Sequence, residues 1–168
     1  MDVWLIADTH FNHANIIKYE NRPFTTTCEM NEVLIKNWNN SIKENDLVYH
    51  LGDVCFGKSN SVEEIISQLR GQKYLLMGNH DRRKSRTWWS KKGFVEVYKK
   101  PIDIIVEDMK ITLSHEPVFK PETLNVHGHV HSKIHRLNQN IYKCVSVECT
   151  EYRPVHISEI KKWMLSVS

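Results

Sequence analysis

The sequence predicts an α/β fold in which two β-sheets pack as a sandwich with helices outside, built as one domain over residues 1–168. Three observations lead there. Apolar runs of strand length end abruptly in polar turns: Val3-Trp4-Leu5-Ile6-Ala7 before Asp8, Leu47-Val48-Tyr49-His50-Leu51 before Gly52-Asp53, and Tyr74-Leu75-Leu76-Met77 before Gly78-Asn79-His80-Asp81. A helical pattern separates the second run from the third, and strand, helix and strand in that order form a βαβ unit, which favours a parallel sheet. Beyond Phe94 the runs shorten and alternate, as expected of a mostly β second layer.

Each element has its own signal. After the first strand, Phe11 begins a loop in which Asn15-Ile16-Ile17-Lys18-Tyr19 can form one helical turn. Thr26-Thr27-Cys28-Glu29 reads as a capping box, and Met30, Val33, Leu34, Ile35, Trp38 and Ile42 recur at helical spacing, which predicts a core-packing helix. Asn45-Asp46 turns the chain into the second strand. Ser61 with Glu64 reads as another capping box for a helix carrying Val62, Ile65, Ile66 and Leu69, stopped by Gly71. Ser85 to Lys92 reads as a short basic helix with Trp88 and Trp89, closed by Gly93. Strands are expected over Phe94–Tyr98, Ile102–Val106, Ile111–His115, Thr123–His127 and Tyr142–Cys149, with Glu107-Asp108-Met109-Lys110 turning one hairpin and a closing helix over Ser158–Val167. No internal repeat or low-complexity segment interrupts them.

Composition narrows the function classes. With 40% hydrophobic and 10% aromatic side chains the chain suits a sizeable core. Its apolar runs fall far short of the ~20 residues of a membrane helix, and the amino terminus reads as a strand and not as a basic-then-apolar leader, so a soluble cytoplasmic protein is expected. The four cysteines, Cys28, Cys55, Cys144 and Cys149, form no CxxC pair and indicate neither a zinc ribbon nor a disulfide framework. A net charge of +3 does not argue for nucleic acid, yet Arg82 to Lys100 holds Arg82, Arg83, Lys84, Arg86, Lys91, Lys92, Lys99 and Lys100 against Glu96 alone. That run reads either as a solvated helix with one aromatic face in the core or as an anion-binding surface.

The strand ends carry the chemistry. Asp8-Thr9-His10, Gly52-Asp53, Gly78-Asn79-His80-Asp81, Ser114-His115-Glu116-Pro117 and Gly128-His129-Val130-His131 each follow an apolar run and each offer metal-capable groups, at the sheet edge where open α/β folds hold ligands. As an ordered set, DTH, GD, GNHD, SHEP and GHVH resemble the calcineurin-like metallophosphoesterases over Asp8 to His131. The ending Val145-Ser146-Val147-Glu148-Cys149 with Tyr152-Arg153-Pro154-Val155 resembles the small bacterial and phage members.

The resemblance implies two divalent ions, manganese favoured and iron, nickel, cobalt or zinc as alternatives. One would be held by Asp8, His10, Asp53 and His131, the other by Asp53, Asn79, His115 and His129, with Asp53 as bridge. Independently, His129 and His131 alternate about Val130, as Asp8 and His10 do about Thr9, so each pair stays close enough for adjacent metals. Such a pair of ions polarises a phosphoester and supplies a metal hydroxide near neutral pH. His80 is then the expected general acid, with Asp81 orienting its ring. Asn12, His13 and Arg82 are the named substrate contacts, Asn12 and His13 having loop bracing as the alternative. His50, His135 and His156 are read as structural, as is His127. The expected activity is hydrolysis of phosphoesters, with diesters favoured. A phosphomonoesterase, a nuclease, and a non-catalytic metal-dependent nucleic-acid-binding or scaffold module are the alternatives. The substrate would be a phosphoester, including nucleotides or nucleic acid; oligomeric state is left open.

Overall fold

The computed structural model describes residues 1–106 and 108–167 and the backbone, but not the side chain, of Met109. The elements are β1 (Val3–Ile6), α1 (Ala14–Tyr19), α2 (Thr27–Ser41), β2 (Leu47–His50), α3 (Ser59–Gln68), β3 (Gln72–Leu76), α4 (Arg86–Ser90), β4 (Phe94–Tyr98), β5 (Ile102–Val106), β6 (Met109–Ser114), β7 (Leu124–His127), β8 (Tyr142–Cys144), β9 (Val155–His156) and α5 (Ile157–Val167). They form a five-stranded sheet in the order β4-β3-β2-β1-β9 and a four-stranded sheet in the order β5-β6-β7-β8. The first is parallel from β4 to β1 with β9 antiparallel at its edge; in the second, β5 is antiparallel to β6 while β6, β7 and β8 run parallel. Among the described residues no helix is long and apolar enough to cross a membrane.

The first sheet is buried on both faces, and the alternation of its side chains separates two cores. Ile6, Val48, Leu75 and Val97 face the helices, where Met30, Leu34 and Trp38 of α2 and Val62, Ile65 and Ile66 of α3 join them. Leu5, Ala7, Leu51 and Leu76 face the second sheet and meet Ile111, Leu113, Val126 and Val145, with Ile160 and Met164 of α5 closing that layer. Packing two sheets back to back in this way brings the carboxyl ends of β1, β2, β3, β6 and β7 to one rim.

Several boundaries differ from those the sequence predicts. Thr26 does cap α2, accepting from the Glu29 amide, but the Glu29 carboxylate reaches past it to the amide and hydroxyl of Thr25, both at 2.7 Å. Helix α3 begins at Ser59 with Lys58 as its cap, three residues before the expected Ser61 cap, because the Ser61 hydroxyl donates back to the Lys58 carbonyl instead of accepting an amide. The hairpin between β5 and β6 is tighter than expected: Val106 pairs with Met109, so Met109 and Lys110 are strand residues. Glu107, part of that expected turn, lies outside the described residues. The expected Tyr142–Cys149 strand ends at Cys144. The chain then leaves its sheet, Ala7 donating to the Val145 carbonyl and Val147 to the Ala7 carbonyl, and turns through a 3₁₀ segment at Val147–Cys149. This crossing stitches the two sheets together beside Asp8.

Candidate metal centre

The loops at the shared rim are built on backbone that most residues avoid. Asp8, His10, Asp53, His129 and His131 all have φ between 49° and 69°, the left-handed region, where a side chain with Cβ is strained. Three glycines let these loops touch. A Cβ on Gly78 would lie 2.2 Å from Asp53 Oδ1, one on Gly128 2.5 Å from Asp8 Oδ2, and one on Gly52 2.5 Å from His115 Nδ1.

All seven expected metal ligands come to this rim. His10 Nε2 lies 3.6 Å from Asp53 Oδ2 and 4.0 Å from Asp8 Oδ1, and His131 Nε2 lies 4.0 Å from the same Asp8 oxygen. His115 Nε2 lies 3.5 Å from Asp53 Oδ2. Asp8, His10 and His131 form one group whose donor atoms lie within 4.8 Å of one another; Asp8, Asp53 and His115 form a second, so Asp8 belongs to both. Asn79 Oδ1 approaches His115 Nε2 to 3.0 Å and His129 Nδ1 to 3.1 Å.

The donor set fits a divalent cation. Asp8 Oδ1 and His10 Nε2 are buried and have no hydrogen-bond partner. His115 Nδ1 donates to the Leu51 carbonyl at 2.7 Å, so in the neutral ring Nε2 is a bare lone pair turned toward the Asn79 oxygen. Burial pushes the Asp8 carboxyl up to about 6, against the Ser146 hydroxyl and the His129 amide that it accepts from. Burial likewise pushes Asp53 up to about 7 despite His115 beside it. His10 is held well below the usual imidazole value by burial and by surrounding cationic groups. A cation set among them would favour the ionised carboxylates and take up the lone pair of an imidazole such as His10; His131 differs, its pKa raised to about 9 by Glu148 and Asp8 against its burial.

His80 borders this cluster, with its Nε2 3.8 Å from Asp53 Oδ2 and its ring 5.0 Å from Phe56 and 5.5 Å from His10, centroid to centroid. Burial and nearby Arg83 hold its pKa down, with Asp81 opposing. Asp81, however, makes no hydrogen bond to the His80 ring. It is buried, and its carboxylate accepts the amides of Asp53 (2.6 Å), Gly78 (2.9 Å) and Val54 (3.1 Å), tying one ligand loop to another. The ring Nδ1 of His80 is buried without a partner.

Of the expected substrate contacts, Asn12 is spent on the protein: its amide donates to the Phe56 carbonyl and accepts from Asn31. That is the bracing alternative. His13 stacks on Phe56 at 4.1 Å with its Nδ1 3.3 Å from that of His10, at the edge of the cluster. Arg82 lies 3.7 Å from Glu116 and lines a cleft of about 150 Å³ with Tyr98, Lys99, Lys100 and His115. Much of the basic run is occupied elsewhere. Arg86 donates to the Val97 carbonyl, Lys92 pairs with Glu63, Lys84 and Lys92 sit over Trp88, and Trp89 is buried and bonded to the Asp81 carbonyl.

His50, read as structural, accepts the Gly52 amide and bonds Thr9. Sequence reasoning missed Arg22, Ser146 and Glu148, all within the reach of Asp8 or His131. Glu148 did leave a signal, being a carboxylate inside an apolar run, where burial demands a partner. Arg22 left none.

The calcineurin-like phosphoesterase family model matches residues 1–163. The chain is 38% identical over 174 aligned positions to the uncharacterized protein MJ1445 of Methanocaldococcus jannaschii, covering 95% of this chain and 89% of that protein. It is 26% identical to the gene 66 protein of Mycobacterium phage D29, over 80% and 81% of the two chains. Among solved structures, a protein of unknown function, AQ665 from Aquifex aeolicus, superposes with a TM-score of 0.75 at 29% identity, over 97% of this chain and 99% of that one. The nuclease MPE of Pseudomonas putida superposes with a TM-score of 0.52 at 22% identity, over 77% and 60% respectively, a likeness of fold.

Proposed function

Because this chain belongs to the calcineurin-like phosphoesterase family, we propose that it is a phosphodiesterase with a two-ion centre, formed by a single domain over residues 1–168. The observation that carries this reading is the meeting of partnerless donors, Asp8 Oδ1 and His10 Nε2, with His115 Nε2 and Asn79 Oδ1 around the Asp53 carboxylate. Asp8, His10, Asp53 and His131 would hold one ion, and Asp53, Asn79, His115 and His129 the other, manganese being the favoured metal. When bound, such ions polarise the phosphoryl group and activate water near neutral pH.

The residues of the chain do the rest. Asp53 is shared by the two ligand sets and receives the His80 amide on Oδ1, at 3.0 Å, which fixes its Oδ2 toward His10 and His115. His80, at the open edge against Phe56, would give a proton to the leaving oxygen, a role worth ~10²- to 10⁴-fold. His13 borders the same edge. Asp81 acts through backbone by holding the Asp53 and Gly78 loops in register.

The test is hydrolysis of bis-para-nitrophenyl phosphate and para-nitrophenyl phosphate by metal-stripped protein resupplied with manganese, nickel, cobalt, zinc or magnesium. Metal-dependent diester cleavage that disappears in Asp53→Asn and falls at least ~10²-fold in His80→Ala is expected. Preference for the monoester would overturn the substrate class. An inert wild type with every metal would move the protein to a binding or scaffold role.

A nuclease reading is favoured by one feature, the cleft beside His115 with Arg82, Lys99 and Lys100 on its walls. Cations there would engage flanking phosphates of a strand whose scissile group sits at Asp53. Under that reading Lys99→Ala with Lys100→Ala slows oligonucleotide cleavage more than it slows the small diester.

A further inference from the structure

We infer that Arg22 and Glu148 are positioning residues of the metal centre, a buried pair that holds the Asp8–His10 loop in its strained form and sets the ring of His131. This rests on the metal-centre reading above. The Arg22 side chain is fully buried (0% exposed) and Glu148 nearly so (4%), although the two are 126 residues apart. Arg22 Nη2 donates to the Asp8 carbonyl at 2.7 Å and Nη1 to the Thr9 carbonyl at 2.9 Å, while Nε donates to Glu148 Oε1 at 2.8 Å. His131 Nδ1 approaches the same Oε1 to 3.1 Å, off the line of a straight hydrogen bond.

The contacts fall where the backbone is least comfortable. Asp8 has φ 56° and His10 φ 49°, with Thr9 between them. Left-handed backbone is disfavoured at each such residue, so the loop persists only where its surroundings over-determine it. The carbonyls that Arg22 captures belong to Asp8 and Thr9, the two peptides that join the strained residues. With the guanidinium in place, Asp8 Oδ1 is directed at His10 and His131 while its Oδ2 is taken up by Ser146 and the His129 amide. Glu148 completes the arrangement on the other side, facing the His131 nitrogen that points away from Asp8. A buried guanidinium without its carboxylate would be uncompensated charge, so the two residues act as a unit.

A purely structural ion pair would have the same burial, and the two roles separate in metal affinity. Glu148→Gln, Arg22→Lys and the remote cap variant Thr26→Ala, a control for lost stability, are compared by calorimetric titration of manganese into folded metal-free protein. Diester turnover is then measured at saturating metal. Positioning predicts that manganese affinity falls about 10- to 100-fold in Glu148→Gln and falls also in Arg22→Lys, which keeps the charge but not the fork. Thr26→Ala should bind as wild type does. Affinity within twofold of wild type in the folded variants would overturn the proposal, as would failure of both to fold, since the pair would then serve the fold itself. The readings fail separately. Wild type that binds manganese but hydrolyses nothing sinks the enzymatic function and leaves this inference standing; wild type that binds no manganese sinks both.

Discussion

At Gly78 one methyl group separates a formed centre from a broken one. A Cβ there would press on Asp53 Oδ1, a side-chain oxygen held by the His80 amide, at 2.2 Å and on the Asp53 backbone nitrogen at 2.7 Å. Gly78→Ala should therefore cost about 1–3 kcal/mol of stability and remove most diester turnover, measured by thermal melting and by bis-para-nitrophenyl phosphate hydrolysis. Asp81→Asn tests the neighbouring position. An amide side chain offers one acceptor oxygen where the carboxylate serves three backbone amides. Stability should drop by about 1–3 kcal/mol in urea titrations, and added manganese should not restore the lost turnover. Residue types at strand ends pointed to Asp8, His10, Asp53, Asn79, His115, His129 and His131, which the fold gathers at one rim. The roles of Asp81 and Asn12 were not legible in the sequence, because their partners lie in other loops, Val54 and Phe56 among them.

Among the elements, α2 was readable from both its cap and its stripe, since Thr26 accepts the Glu29 amide and Met30, Leu34 and Trp38 are its buried residues. Thr26→Ala should lower stability by about 1 kcal/mol and leave turnover at 25 °C unchanged, as followed by thermal melting beside the assay. The start of α3 was misread because Ser59-Asn60-Ser61 offers several polar candidates, and only the fold shows that Ser61 bonds backward. β9 escaped notice for a different reason: it is two residues long and exists only because β1 presents an edge to it. The β2 entry turn holds a further element-level device. Asp46 accepts the amides of Asp2 at 2.9 Å and Lys43 at 3.0 Å, and the Trp4 indole N–H at 3.3 Å. The Asp2 and Lys43 amides hold its carboxyl below the ordinary value of 3.8. Its folded value being depressed, the stabilisation is fully present above that ordinary value and drains away as pH falls through it toward the folded one. Asp46→Asn should therefore melt lower than wild type at neutral pH, with the gap narrowing below about pH 4.

For the molecule as a whole, metal binding and folding are linked through the rim where the two sheets meet. Chelation should lower the melting temperature, and manganese should raise it progressively with concentration, following the logarithm of free metal over its dissociation constant; Asp53→Asn should respond far less. The sandwich and its βαβ half were legible because apolar runs and helical spacing are local signals. The crossing of Val145 and Ser146 from one sheet to the other was not, since a run of strand-forming residues does not say which sheet it will join. That crossing also sets a schedule. Asp8 is made well before the groups that fix it, since His131, Ser146 and Glu148 lie 123 or more positions later. A nascent chain cannot close its centre until Glu148 has left the ribosome, so a ribosome-bound chain stalled before Ser146 should have no phosphoesterase activity.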